Sequence, residues 1–173
     1  TPVVEYFARE CSKRNGIPLI LSRGYGNDER YQYKLNCPKR TMIGISANRI
    51  EGAKRVLKSR SCGISNREKI FAILDDGFQS LYINRDINIA LLNHKNKNML
   101  NREPYDGLKR ADVIVFNDGI NLSNFKSFIN QKIGGRKILQ LTMRKKPFIN
   151  QKNKLNVPLL AVSGIANSNS FYS

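Results

Sequence analysis

The sequence predicts an α/β fold built on a largely parallel sheet flanked by helices. Apolar runs of four to six residues recur along the chain, and segments with helical spacing alternate with them. That alternation is the mark of strands crossing over through helices. Acidic and basic residues stand directly after several of the runs, where such sheets bind their ligands.

The first segment carries Val3, Val4, Phe7, Ala8 and Cys11 at helical spacing, with Gly16 placed to stop the helix. Pro18 to Ser22 reads as a short buried strand that ends in the turn-rich Arg23-Gly24-Tyr25-Gly26. Met42 to Ser46 is a second strand, followed by a helix whose apolar side is Ile50, Ala53 and Leu57. Ile70 to Leu74, Ile87 to Leu92 and Val113 to Phe116 supply three more strands. An amphipathic helix then places Leu122, Phe125, Ile129 and Ile133 on one side. Residues 137–141 and 143–149 are less regular, broken by Arg144-Lys145-Lys146, and read as a connector. Val157 to Val162 opens a further strand-like run. The predicted organisation is a main domain over 1–135, a connector over 136–152, and the start of a second α/β domain over 153–173.

A chain of 173 residues can bury one good core. With 40% hydrophobic and 25% charged residues it has the composition of a globular protein. It contains no apolar run of about 18 residues, so no membrane span is predicted. No charged-then-apolar leader opens it either. It begins at Thr1 without a methionine and reads as a piece of a longer protein. The formal net charge of +17 attracts polyanions, whether nucleic acid, anionic membrane or phosphorylated substrate. Lys and Arg are spread along the chain rather than blocked together, and the Asn-Lys-Ile bias can come from an AT-rich genome. Cys11, Cys37 and Cys62 are widely spaced and His94 is the only histidine, a pattern that argues against a disulfide framework or a zinc site and for buried or incidental thiols in a reducing compartment.

Asp75-Asp76-Gly77-Phe78-Gln79 is the most informative local motif. An apolar strand ending in two carboxylates fits a Walker-B position, where one acid holds Mg²⁺ directly or through water. A plain acidic turn would read the same way, because Asp and Gly are common turn formers. In Arg23-Gly24-Tyr25-Gly26-Asn27-Asp28-Glu29 the glycines permit close backbone approach, Arg23 can face an anion, and Asp28 could accept a proton. An ordinary surface loop is the alternative. Arg102-Glu103-Pro104 is by itself a charged pair before a helix-starting proline.

Taken in order, Thr1-Pro2, Leu21 to Gly26, Asp28-Glu29, Asn48-Arg49, Leu74 to Gln79, Arg85-Asp86, Arg102 to Pro104, Arg110 to Asp112 and Ser163 to Ala166 form a specific series. The chain resembles the tetraacyldisaccharide 4'-kinase family along essentially its whole length. The resemblance implies a P-loop NTPase-like kinase domain over 1–135. It also implies transfer of the ATP γ-phosphoryl to the 4'-hydroxyl of a lipid A disaccharide precursor. ATP and Mg²⁺ are the implied cofactors, an anionic membrane surface the implied peripheral partner, and no obligate protein partner is implied. Thr1 would close the Walker-A loop and bind Mg²⁺, and Asp28 would be the catalytic base. Asp75 and Asp76 would form the Walker-B pair, with Glu103 a further carboxylate near the metal. Arg23, Tyr25 and Arg49 match positions that handle substrate or phosphate. The implied location is the cytoplasmic face of a bacterial inner membrane, or an organelle in a plant or alga.

The chain also departs from that pattern. The glycine-rich loop and lysine that should precede Thr1, the N-terminal membrane-associating helix and the C-terminal histidine are not in the sequence, so the chain alone is expected to be inactive. Ser80 stands where the family has a histidine, and the stretch from Leu92 to Arg102 is short. These departures keep open a diverged, non-catalytic homologue that binds nucleotide or lipid. The charge keeps open a nucleic-acid-binding protein, a reading that no RNA- or DNA-binding motif supports.

Overall fold

The structure is a computed structural model and describes residues 2–24, 27–60, 63–65, 68–92, 105–117 and 137–141. Helix α1 (Pro2–Lys13) leads into strand β1 (Ile17–Ser22), helix α2 (Asn27–Asn36) and strand β2 (Met42–Ile45). Helix α3 (Arg49–Arg60) and strand β3 (Ile70–Leu74) follow, then β4 (Ile89–Leu92), a short 3-10 helix (Tyr105–Arg110), β5 (Val113–Asn117) and β6 (Lys137–Leu141).

The strands form two three-stranded sheets, β2-β1-β3 and β4-β5-β6, and every pairing is parallel. β1 is central in the first sheet, and each of its six residues is buried. Pro18 is tolerated there for a positional reason. Ile17 N donates to Lys69 O beside β3 at 2.9 Å, and N–H groups alternate sides along a strand. The donor that Pro18 lacks therefore belongs to the β2 side, whose ladder begins only at Leu19 paired with Met42.

The two faces of this sheet follow the period-two pattern. Ile20, with Ile43 and Ile73 beside it, packs under Val4 and Ala8 of α1 and Tyr33 of α2. Ile17, Leu19, Leu21 and Met42 face the other way, onto Ala53, Val56 and Leu57 of α3. Full burial of a side chain such as Ile20 contributes about 1.5–3 kcal/mol.

Four findings revise or refine the sequence reading. α2 was expected only as the end of a loop, because its sequence NDERYQYKLN has almost no apolar stripe. On α3 the predicted apolar side included Ile50, yet Ile50 is exposed and Arg49 is buried in its place. Ala53 and Leu57 pack on the core as expected, and in the first turn it is Arg49 that turns inward to bond the loop after β3. The largely parallel sheet flanked by helices is borne out, and among the described residues its strands fall into two three-stranded groups, which apolar patterning does not resolve because it identifies strands but not their lateral neighbours. Lys137–Leu141, assigned to the connector, is instead a strand paired along its length with β5. Its alternating Lys and Gln obscure the apolar residues between them.

One compact unit spans Thr1–Leu141. The predicted helix at 122–133, the rest of the connector and the run at 157–162 lie outside the described residues.

Candidate active site

Three strand ends of the first sheet lie side by side. Asp75 N donates to Leu21 O at 2.9 Å, and Ser46 N donates to Ser22 O at 3.0 Å. Leu21 is paired with Leu74, and Ser22 with Ile45, so the chain leaves all three strands at the same end. Segments 23–29, 46–49 and 75–80 therefore emerge together at the carboxyl edge, where an α/β sheet presents its ligand-binding groups.

The first tip turns on Gly24, whose φ of 75° lies in the left-handed region. A Cβ there would stand 2.3 Å from Ile45 Cγ2, so the position excludes a side chain on both grounds. Gly24 N donates to Ser22 Oγ at 3.2 Å, and Ser22 Oγ donates to Glu29 Oε2 at 2.7 Å. This relay joins the end of β1 to the first turn of α2, which carries Asp28 and Glu29. Asp28 is exposed at a helix N-terminus, where the unpaired N–H groups favour a carboxylate. Arg23 is exposed at the same tip.

The second tip is capped by Asn48, whose Oδ1 accepts from Ile50 N at 3.0 Å and Glu51 N at 3.3 Å. It leads directly to Arg49, which is 1% exposed. Arg49 Nη2 donates to Asp75 O at 2.7 Å and Asp76 O at 2.9 Å, and Nη1 donates to Ser80 Oγ at 2.7 Å. In this structure the guanidinium builds the acidic loop from below. Arg49, expected from the resemblance to handle substrate or phosphate, is in this structure a buried brace.

The third tip is that loop. Asp76 has φ of 50°, a left-handed conformation that Asp tolerates better than most residues. Gly77 is buried, and a Cβ there would lie 2.4 Å from Leu74 Cβ. Arg85 Nη1 donates to the carbonyls of Gly77, Phe78 and Ser80, the last at 3.1 Å. The Arg110 guanidinium lies 5.1 Å from the centre of the Phe78 ring. Tyr33 O–H of α2 donates to Asp75 Oδ2. Asp75 is half-buried and Asp76 exposed.

Of the predicted site residues, the structure brings Arg23, Asp28, Arg49, Asp75 and Asp76 to one edge of one sheet. Thr1, Tyr25 and Glu103 lie outside the described residues. Among the described residues no three His, Cys, Asp or Glu side chains gather as a metal cage. The two adjacent carboxylates are hard oxygen donors, and that chemistry fits Mg²⁺ completed by substrate phosphate and water. Sequence reasoning missed Ser22, Glu29, Tyr33 and the bracing by Arg85. The acidic pair after a glycine was a readable helix-start signal; the bracing contacts had no local signal. Cys11 and Cys37 are free and half-buried, and burial pushes both thiols above their ordinary value of 9.0. They take no part in this site.

A family model described as Tetraacyldisaccharide-1-P 4'-kinase matches residues 1–173. A tetraacyldisaccharide 4'-kinase of Geobacter sulfurreducens is 29% identical over 140 residues, covering 67% of this chain and 39% of the relative. A probable mitochondrial tetraacyldisaccharide 4'-kinase of Arabidopsis thaliana is 32% identical, over 66% of this chain and 36% of the relative. The Francisella tularensis subsp. novicida tetraacyldisaccharide 4'-kinase is 26% identical over 99% of this chain and 61% of its own length. The chain thus spans between about a third and three fifths of these relatives. No solved structure matches.

Proposed function

We propose that this chain, which belongs to the tetraacyldisaccharide-1-P 4'-kinase family, is part of a lipid kinase. The reaction is transfer of the ATP γ-phosphoryl to the 4'-hydroxyl of a tetraacyldisaccharide 1-phosphate, a step of lipid A biosynthesis. The observation that carries this reading is the meeting of Asp28, Asp75 and Asp76 at adjoining tips of one parallel sheet.

Phosphoryl transfer asks the protein for positioning and charge stabilisation more than for covalent chemistry. Asp28, exposed on the first turn of α2, takes the proton of the attacking 4'-hydroxyl. Asp75 and Asp76, with Thr1 and Glu103, would hold Mg²⁺, which would neutralise charge on the phosphate oxygens. Arg23 and Tyr25 face the anionic groups of substrate and nucleotide. Arg49 acts one layer back, by fixing the carbonyls on which the acidic pair is built.

The net charge of +17 supports peripheral attachment to an anionic membrane, at about 1 kcal/mol for each Lys or Arg near the surface. Among the described residues no helix is long and apolar enough to cross a membrane. Bacterial and mitochondrial relatives support the cytoplasmic face of a bacterial inner membrane or an organelle as the location.

The test uses the full-length protein with labelled ATP, Mg²⁺ and the disaccharide lipid. Labelled phosphate should appear on the lipid, and Asp28→Ala should lower kcat by about 10²–10⁴-fold with ATP binding retained. Absence of transfer from intact protein rejects the kinase reading. Equal losses of turnover and ATP binding reject Asp28 as the base. A second reading, a diverged nucleotide- or lipid-binding homologue, draws on Ser80, which is buried as the acceptor of an Arg49 hydrogen bond where the family has a histidine. Nucleotide or lipid binding without transfer is its expected outcome. Retention on DNA rather than on anionic liposomes at matched salt would instead favour a nucleic-acid partner.

A further inference from the structure

We propose that Tyr33 is a positioning residue for this site: its phenol fixes the Asp75 carboxylate and fastens the helix carrying Asp28 to the acidic loop. The proposal rests on the metal-dependent reading of the loop given above and names a residue that reading did not use.

Tyr33 sits on α2, five positions after Asp28, and is fully buried at 0% exposure. Among the α2 side chains described it is the one fully buried; Asp28, Arg30, Tyr31, Gln32, Lys34, Leu35 and Asn36 are exposed. Its ring belongs to the core cluster with Val4, Ala8 and Ile20, which sets its position. Its hydroxyl donates to Asp75 Oδ2. A phenol sunk in an apolar cluster needs a hydrogen-bond partner, and a carboxylate acceptor makes the bond charge-assisted.

Asp75 is held from three directions. Its N–H donates to Leu21 O at 2.9 Å, its C=O accepts from Arg49 at 2.7 Å, and its side chain accepts from Tyr33. With the backbone fixed, the Tyr33 hydroxyl orients the carboxylate by bonding one of its oxygens. The same contact has a second consequence. α2 is also tied to β1 through Glu29 and Ser22 and to α1 through Asn36, and the bond from Tyr33 adds the direct link between the helix that carries Asp28 and the Asp75 carboxylate. The base and the metal acid are thereby linked through one side chain.

A residue that orients a metal-binding carboxylate typically alters metal affinity by about 10–100-fold when removed. Tyr33→Phe deletes only the hydroxyl and keeps the ring in the core. In the full-length protein, Mn²⁺ affinity measured by electron paramagnetic resonance on the folded variant should fall about 10-fold or more. Tyr31→Phe, an exposed position on the same helix, should not alter it. In the wild type labelled at tyrosine Cζ, the Tyr33 resonance should shift on Asp75→Asn and hold still on Asp76→Asn. That measurement also decides the case if Tyr33→Phe fails to fold. Unchanged Mn²⁺ affinity in a folded Tyr33→Phe, a Tyr33 resonance indifferent to Asp75→Asn, or a wild type that binds no Mn²⁺ each overturns the proposal. Weakened Mn²⁺ binding in Tyr33→Phe, in a protein that transfers no phosphate, would sustain it while the lipid-kinase reading falls.

Discussion

The tips of β1 and β3 are neighbours in one sheet, yet they are held by opposite chemistry. At β1 the fastening is acidic: Glu29 accepts from Ser22, which accepts from Gly24 N–H. That relay is small, partly exposed and made of a neutral hydroxyl and a single carboxylate. At β3 the fastening is cationic and deep. Arg49 and Arg85 reach the loop through five backbone carbonyl contacts and one hydroxyl. Both tips display an acidic pair, and the difference follows from where each pair stands, in a loop after β3 and on the first turn of α2. Two consecutive carboxylates repel one another, and guanidiniums on the carbonyls beneath them offset that repulsion. Asp28 is alone with Glu29 on a helix N-terminus, whose N–H groups already favour negative charge.

If the β3 tip depends on its arginines, Arg49→Ala should give the largest effect. It leaves two carbonyls and the Ser80 hydroxyl without their donor, at a cost of roughly 3–5 kcal/mol in urea unfolding. Arg49→Lys should recover less than half, because an ammonium cannot match the fork. A loss below about 1 kcal/mol for Arg49→Ala would erase the contrast between the tips.

At the β1 tip, Gly24→Ala should cost about 1–3 kcal/mol from the left-handed backbone alone, with the contact to Ile45 added. Pairing it with Ile45→Ala removes the steric part and leaves the backbone part, so the double variant should unfold later than the two single effects summed. Strict additivity would mean that Ile45 does not shape the turn.

Ser22→Ala should cost about 1 kcal/mol, as expected for a part-buried hydrogen bond. Its activity loss should exceed its stability loss, because α2 carries Asp28.

The smallest effect is a control at the other end of β3. Glu68 accepts from Ser65 N at 2.9 Å and pairs with Arg40 at 2.5 Å, and these bonds hold its carboxyl below the ordinary 4.5. A depressed carboxyl stabilises the fold above its ordinary value and ceases to as pH falls through the folded value. Glu68→Gln should slightly flatten the acid limb below about pH 4.5 and leave both tips, and turnover, unaltered. A turnover change would show that the two ends of β3 are coupled.

Much of the site was legible in the sequence because its signals are local. Leu74-Asp75-Asp76-Gly77 reads as an apolar strand ending in acids, and the structure ends β3 at Leu74. Gly24 was legible as a turn position, and it stands at φ 75° with no room for a Cβ beside Ile45. α2 escaped because a helix with one buried residue leaves no period to detect. Arg49 was singled out, but its burial was not foreseen, since nothing adjacent to it in sequence shows that carbonyls 26 and 27 residues later will meet its guanidinium.

By itself the sequence determined the class of fold, the parallel sense of the strands and the acids at their ends, because each depends on patterns within a few residues. Only the tertiary structure decided that β1 lies between β2 and β3, that Arg49 and Arg85 support the acidic loop, and that Tyr33 meets Asp75. Those contacts join residues far apart along the chain, and they exist only after burial has excluded water as the competing partner.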